Sequence, residues 1–306
     1  MKNIVLISLL LVVIIAGGFY FLTSHDDSYV KPETTTETPQ NETLVTPPSP
    51  EIVEPVEVPR GPESIIGKSG DGVDITAYHF GEGSEELILI GGIHGGYSWN
   101  TALLGFELVD WFKENENLVP DTMTVTIIPV LNPDGLKLVT GETGRFSASD
   151  ATTNETTKIA GRFNSNEVDL NRNFDCQWQP KGTWQNRTVS GGNAAFSEPE
   201  AQAIRDYVLA SKPAGVITWY SAAGGVYAST CNGEVETETL AITKLFAEAS
   251  GYTAHEEFDY YEITGDMVNW FAKENIPAIS VLLTNHTATE LNKNKAGIEA
   301  LLNYFK

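Results

Sequence analysis

Cysteine and basic side chains are scarce in this sequence. Two cysteines, Cys176 and Cys231, among 306 residues rule out a disulfide-dense scaffold and any CxxC zinc site. Lysine and arginine total 19 against 41 aspartates and glutamates, a formal charge of −22. A sequence-independent grip on nucleic acid needs clustered Lys and Arg, and so does electrostatic adhesion to anionic lipid. The charge balance argues against both. What is present is an ordinary globular composition, 41% hydrophobic and 20% charged, with enough apolar material for a buried core.

One apolar run stands apart. Residues 4–22, IVLISLLLVVIIAGGFYFL, carry no charge. At 1.5 Å rise they cover about 28 Å, close to the hydrocarbon thickness of a bilayer. A secretory signal core is shorter, about 7–15 residues, and ends at a small-residue cleavage site. No A-x-A follows this run, so it is expected to remain as a transmembrane anchor. Lys2 precedes it, and His25, Asp26 and Asp27 follow. The positive-inside rule then puts residues 1–3 in the cytoplasm and the rest of the chain outside it. Residues 23–62 are rich in Pro, Thr and Glu. With little apolar surface to bury, they are expected to form a disordered, extended stalk. Residues 63–306 remain for a single folded domain.

Within that domain, apolar runs at 87–91, 123–130, 214–220 and 277–283 read as strands. Helical spacing appears at 101–114, 197–211, 236–250, 265–275 and 294–305. Ser197 and Glu200 form a capping-box pattern, with Pro199 in the first turn. Alternation of this kind predicts an α/β fold, a mostly parallel sheet with helices on both faces. Ligands gather at the carboxyl ends of such strands. His94 follows the first strand, Tyr220 ends the third and Leu282 lies at the end of the fourth. Parallel strands bring these three to one edge of the sheet.

Several phrases then accumulate in order: GGIHGGYSWN (91–100), NPDG (132–135), GRFNSNEVDLNRNFD (161–175), FSEPE (196–200), WYSAAGGVYAS (219–229), YEITGDMVNW (261–270) and IPAISVLLTNH (276–286). In order and spacing the sequence resembles the zinc carboxypeptidases, the carboxypeptidase A-like metallopeptidases. The resemblance implies an eight-stranded mixed sheet with flanking helices. It also implies a zinc ion held by a His and a Glu from a His-x-x-Glu phrase and by a second His on a later strand. Three protein ligands leave a fourth position for water, and a further Glu acts as general base. An Asn-Arg pair and another Arg bind the substrate's terminal carboxylate, and a Tyr closes over it.

The sequence departs from that pattern at the metal. His94 matches the first ligand, but Tyr97 and Ser98 stand where the carboxylate belongs. Tyr220 takes the place of the second His, and Leu282 that of the general base. A phenol ionises near pH 10, so a tyrosine is no ligand at neutral pH unless a metal is already bound. Leucine accepts no proton, and losing the base alone costs on the order of 10²–10⁴ in rate. The resemblance therefore implies zinc, while the residues imply that zinc is not held.

The carboxylate-binding positions match: Asn171 and Arg172 for the pair, Arg162 for the second arginine, Tyr261 for the lid. A guanidinium meets a carboxylate through two parallel hydrogen bonds. Each position also has a plainer reading. His94 is then a polar turn residue and Arg162 a surface charge. Asn171 and Arg172 are tied to Asp169 or Asp175, Tyr261 packs beside Tyr260, and His286 is a loop residue. Cys176 and Cys231 either pair beside the cleft or stay as two buried thiols. The function expected is that of a membrane-anchored pseudopeptidase on the outer side of the membrane. It would bind the carboxyl termini of peptides, or of peptidoglycan stem peptides, without cutting them. Two alternatives compete with it. One is an active metallocarboxypeptidase in which His94 is joined by Tyr220, His255 or His286. The other is a scaffold whose cleft is closed by Tyr220 packing on Leu282.

Overall fold

Burial on both faces sets the centre of the sheet. In β3 (Glu85–Ile90) every residue after Glu85 is buried, and in β4 (Met123–Ile128) all are. β7 (Gly215–Ser221) and β10 (Ala278–Leu283) are nearly as enclosed. The computed structural model describes residues 61–306. The cytoplasmic segment expected at 1–3, the anchor expected at 4–22 and the stalk through residue 60 lie outside the described residues. Among the described residues no helix is long and apolar enough to cross a membrane.

The eight-stranded mixed sheet implied by the resemblance is present. Its order is β1-β2-β4-β3-β7-β10-β8-β9, with β1 (Glu63–Lys68), β2 (Asp74–Phe80), β8 (Gly225–Ala228) and β9 (Ala254–His255) toward the edges. β4, β3, β7 and β10 run parallel, while β2 on β4 and β8 on β10 are antiparallel. A separate antiparallel hairpin joins β5 (Lys181–Trp184) to β6 (Arg187–Ser190).

Among the described residues the α-helices are α1 (Trp99–Glu114), α2 (Pro133–Thr140), α3 (Glu155–Ala160), α4 (Pro199–Ser211), α5 (Thr237–Ser250), α6 (Met267–Lys273) and α7 (Leu291–Phe305). Successive strand side chains enter opposite cores, as the pleat requires. Ile88, Ile90, Val216, Tyr220, Ala278 and Leu282 share one core with residues of α4 and α6. Leu87, Leu89, Ile217, Trp219, Ile279 and Val281 share the other with α1, α5 and α7. This is a single α/β domain with helices on both faces.

The capping box expected at Ser197 does not form. α4 begins at Pro199 with Glu198 in the cap position and no side-chain cap. The Glu200 carboxylate accepts instead from the Gly70 N–H at 2.9 Å and from Asn164 at 3.1 Å. Ser197 Oγ donates to Glu198 at 2.8 Å. Long-range partners outcompete the local cap. Cys176 and Cys231 form a disulfide, their Cα atoms 5.6 Å apart and 55 residues apart in sequence. In the chain-entropy model a loop of that size stabilises the fold by about 4 kcal/mol.

Candidate functional site

The carboxyl ends of β3, β7 and β10 open on a cleft of about 940 Å³. The turn after β3 carries His94. Gly91 permits its close exit, since a Cβ there would stand 2.5 Å from the Thr101 carbonyl oxygen. Gly95 takes φ +43°, a left-handed turn that suits glycine, and a Cβ there would stand 2.7 Å from the Gly161 carbonyl oxygen. Leu282 pairs with Tyr220 across β10 and β7, and the His94 and Tyr220 ring centroids are 5.5 Å apart. All three line the cleft, together with Arg162, Asn171, Arg172 and Tyr261. Tyr220 and Leu282 do not close it, which removes the argument for a filled-in scaffold. Ser98 sits at the start of α1, buried, its hydroxyl without a hydrogen-bond partner.

Arg162 is buried, not a surface charge. Its Nε donates to Asp169 Oδ2 at 2.9 Å, and its guanidinium lies 4.3 Å from the Trp184 ring centroid. Burial lowers the Arg162 pKa, and Asp169 opposes the shift. Burial alone would raise the Asp169 carboxyl; Arg162 and Arg172 overcome that and hold it below the ordinary range. The Asn171 backbone N–H donates to Asp169 Oδ1 at 3.1 Å, while Asp175 pairs with Lys273 at 2.7 Å.

The Asn171 side chain is tied elsewhere. Its Nδ2 donates to Asp266 Oδ2 at 2.7 Å, and its Oδ1 accepts from the Met267 N–H at 3.1 Å and the Tyr220 hydroxyl at 3.2 Å. Asp266 also caps α6 through the Asn269 N–H at 2.9 Å, and burial raises its pKa. Nothing in the strand pattern singles out Asp266. Its place as the first residue before a helix was the available signal.

Arg172 is 1% exposed. Its Nε and Nη2 donate to the Thr183 carbonyl at 3.2 and 2.7 Å, and Nη1 to the Asn171 carbonyl at 2.6 Å. A guanidinium has five N–H donors. Three are committed to backbone and two remain. Tyr261 packs edge-on against Phe258 at 5.1 Å, with the Arg172 guanidinium 6.0 Å from its ring centroid.

The residues at the other end of the cleft do not fit a zinc ion. Both His94 ring nitrogens are buried without a hydrogen-bond partner, and the nearest carboxylate oxygen, Asp169 Oδ1, is 3.7 Å from Nε2. Burial, then Arg162, pushes the imidazole well below its usual pKa. That leaves a neutral ring with the Tyr220 phenol beside it. Burial, reinforced by Asp266, raises the Tyr220 phenol well above its usual range, and its hydroxyl donates a hydrogen bond to Asn171 Oδ1. The substitutes are engaged elsewhere. His286 Nδ1 lies 3.0 Å from the Ser221 hydroxyl, and His255 stacks on Tyr227 at 4.5 Å. Among the described residues no three His, Cys, Asp or Glu side chains converge as a metal-binding group.

The sequence pattern of the zinc carboxypeptidases matches residues 50–296. Bacteriocin BCN5 of Clostridium perfringens is 29% identical over 154 residues, 48% of this chain and 15% of that protein. Gamma-D-glutamyl-L-diamino acid endopeptidase 1 of Lysinibacillus sphaericus is 26% identical over 160 residues, 49% of this chain and 39% of that protein. The chain thus spans less than half the length of either relative. Among solved structures, murein-tripeptide amidase MpaA from Escherichia coli O157 aligns with TM-score 0.53 at 19% identity. That alignment covers 79% of this chain and 92% of that one, a likeness of fold alone.

Proposed function

The chain belongs to the zinc carboxypeptidase family, and from that premise we propose that it is a pseudopeptidase that binds peptide carboxyl termini without hydrolysing them. One observation carries this reading. Arg172, fixed by three backbone hydrogen bonds at the edge of an open cleft, keeps two donors for a ligand. Where the family pattern has a carboxylate, an imidazole and a base, this sequence has Ser98, Tyr220 and Leu282, the last two lining the same cleft. Binding and cutting are thereby separable. Arg162 adds a second positive charge, and Tyr261 a face beside Arg172. Hydrolysis by the family route requires a metal-activated water and a base, and this donor set supplies neither.

The ligand proposed is a peptide with a free carboxylate, and a peptidoglycan stem peptide is the natural candidate. The names of the amidase and the diamino-acid endopeptidase lend support to that choice. The apolar run at 4–22 and the acidic, proline-rich segment after it support an anchored protein whose domain faces away from the cytoplasm.

The test is calorimetric titration of acetyl-alanyl-alanine against its carboxamide. A charge-assisted hydrogen bond is worth about 1.5–3 kcal/mol, so the free acid is expected to bind about tenfold or more tightly. Arg172→Lys, which keeps the charge but loses the fork, should reduce that ratio. Equal affinity of wild type for acid and amide would overturn the proposal. Peptide hydrolysis with one equivalent of bound zinc would replace it with the active-enzyme alternative.

A further inference from the structure

Both arginines of the clamp are held by one small element outside the main sheet. The Thr183 carbonyl, in β5, accepts from Nε and Nη2 of Arg172. The next residue, Trp184, lays its ring under the Arg162 guanidinium at 4.3 Å and meets Tyr97 edge-on at 4.9 Å. On the other side, Gly182 leaves room for the Arg172 stem, because a Cβ there would stand 2.7 Å from Arg172 Cδ. The base of the hairpin is tied to the segment that carries the arginines. Val168 bridges to Ser190, and the Asp169 N–H donates to the Ser190 carbonyl at 3.0 Å. Three successive residues of one strand therefore bear on the two arginine side chains.

We propose that the β5–β6 hairpin is the positioning device of the carboxylate clamp. Trp184 aims Arg162, and Gly182 with Thr183 aims Arg172. The inference rests on the carboxylate-binding reading of the same cleft. Its physical basis is the cost of ordering. A free arginine samples many rotamers, and a ligand that must freeze two of them binds weakly. A carbonyl accepting two N–H groups fixes the plane of Arg172 before any ligand arrives. An aromatic face does the same for Arg162, because the ring quadrupole attracts the cation and leaves the guanidinium edge open to hydrogen bonds. That edge holds Asp169 through Nε. Trp184 acts through the Arg162 guanidinium that lies over its ring.

The experiment uses the full chain and two probes, acetyl-alanyl-alanine and its carboxamide, titrated into wild type, Trp184→Ala, Trp184→Phe and Gly182→Ala. Wild type is expected to prefer the acid by about tenfold or more. Trp184→Ala should cut the preference to about threefold or less while leaving amide affinity near wild type, and Trp184→Phe should restore most of it. Gly182→Ala should give the same loss through Arg172, and it serves as the test if Trp184→Ala fails to fold. A merely structural role would weaken acid and amide alike and leave their ratio unchanged. That ratio, intact in both Trp184→Ala and Gly182→Ala, overturns the inference alone. A wild type with no preference overturns the carboxylate reading and the inference with it.

Discussion

Two adjoining ends of one cleft, which meet where His94 comes within 3.7 Å of Asp169 and Tyr220 donates to Asn171, differ in how their polar atoms are used. At the arginine end, Asp169, Asn171, Arg172 and Asp266 all have partners at hydrogen-bond distance, and the Asn171–Asp266 bond joins residues 95 apart in sequence. At the His94 end, two imidazole nitrogens and the Ser98 hydroxyl are buried with none. Buried polar groups are nearly always paired, and an unpaired one costs about 1–3 kcal/mol. The arginine end is wired as a site that holds its shape before a ligand arrives. The His94 end has the outline of a metal site without the donors that would justify its polar atoms. The same backbone supports both, so side-chain chemistry alone separates them.

The comparison is most sharply broken by rebuilding the poor end. Ser98→Glu with Tyr220→His would place a carboxylate and an imidazole beside His94. Zinc affinity by competition with a chelator is expected to rise at least a thousandfold, about 4 kcal/mol. No gain would mean that positions 98 and 220 do not converge on His94 as ligands must.

Breaking the rich end comes next. Asp169→Ala leaves Arg162 buried without its carboxylate, and the loss of one partner of a buried pair typically costs about 3–5 kcal/mol. Urea unfolding reads it. A loss below about 1 kcal/mol would show that the arginine end is no more demanding than the surface. The acid limb of stability tests the same residue. The folded Asp169 pKa is depressed, so its contribution is complete above the ordinary carboxylate range, about pH 4. It is lost as pH falls further, through the folded value. Asp169→Asn should flatten the fall in stability below about pH 4 relative to wild type, and an unchanged acid limb contradicts the depression.

The smallest effect belongs to the poor end. His94→Leu removes two unpaired buried nitrogens and adds an apolar side chain of similar size. It should stabilise the fold by about 1 kcal/mol, read as a higher Tm. A clear loss of stability would show that His94 has a partner the free protein depends on.

Legibility from sequence followed burial. β3, β4, β7 and β10 are covered on both faces, so they appear as unbroken apolar runs. β1 and β2 lie at an edge with mixed exposure, and β8 and β9 are short, so no run marks them. The Ser197 cap was a sound local pattern defeated by distant partners for Glu200. In the cleft, His94, Tyr220 and Leu282 were placed by strand ends, and Arg162, Asn171, Arg172 and Tyr261 by motif. Asp266, Thr183 and Trp184 escaped because their importance lies in what they touch: Asn171, Arg172 and Arg162.

Sequence alone determined the chemistry available here: which side chains can give or take a proton, which can hold a cation, and which runs must be buried. Those properties are intrinsic to residue type and local pattern. Tertiary structure decided which donors are already spent, which face the cleft and which are stranded. A hydrogen bond is made with whatever group lies within about 3 Å, and in a folded chain that group is often a hundred residues away.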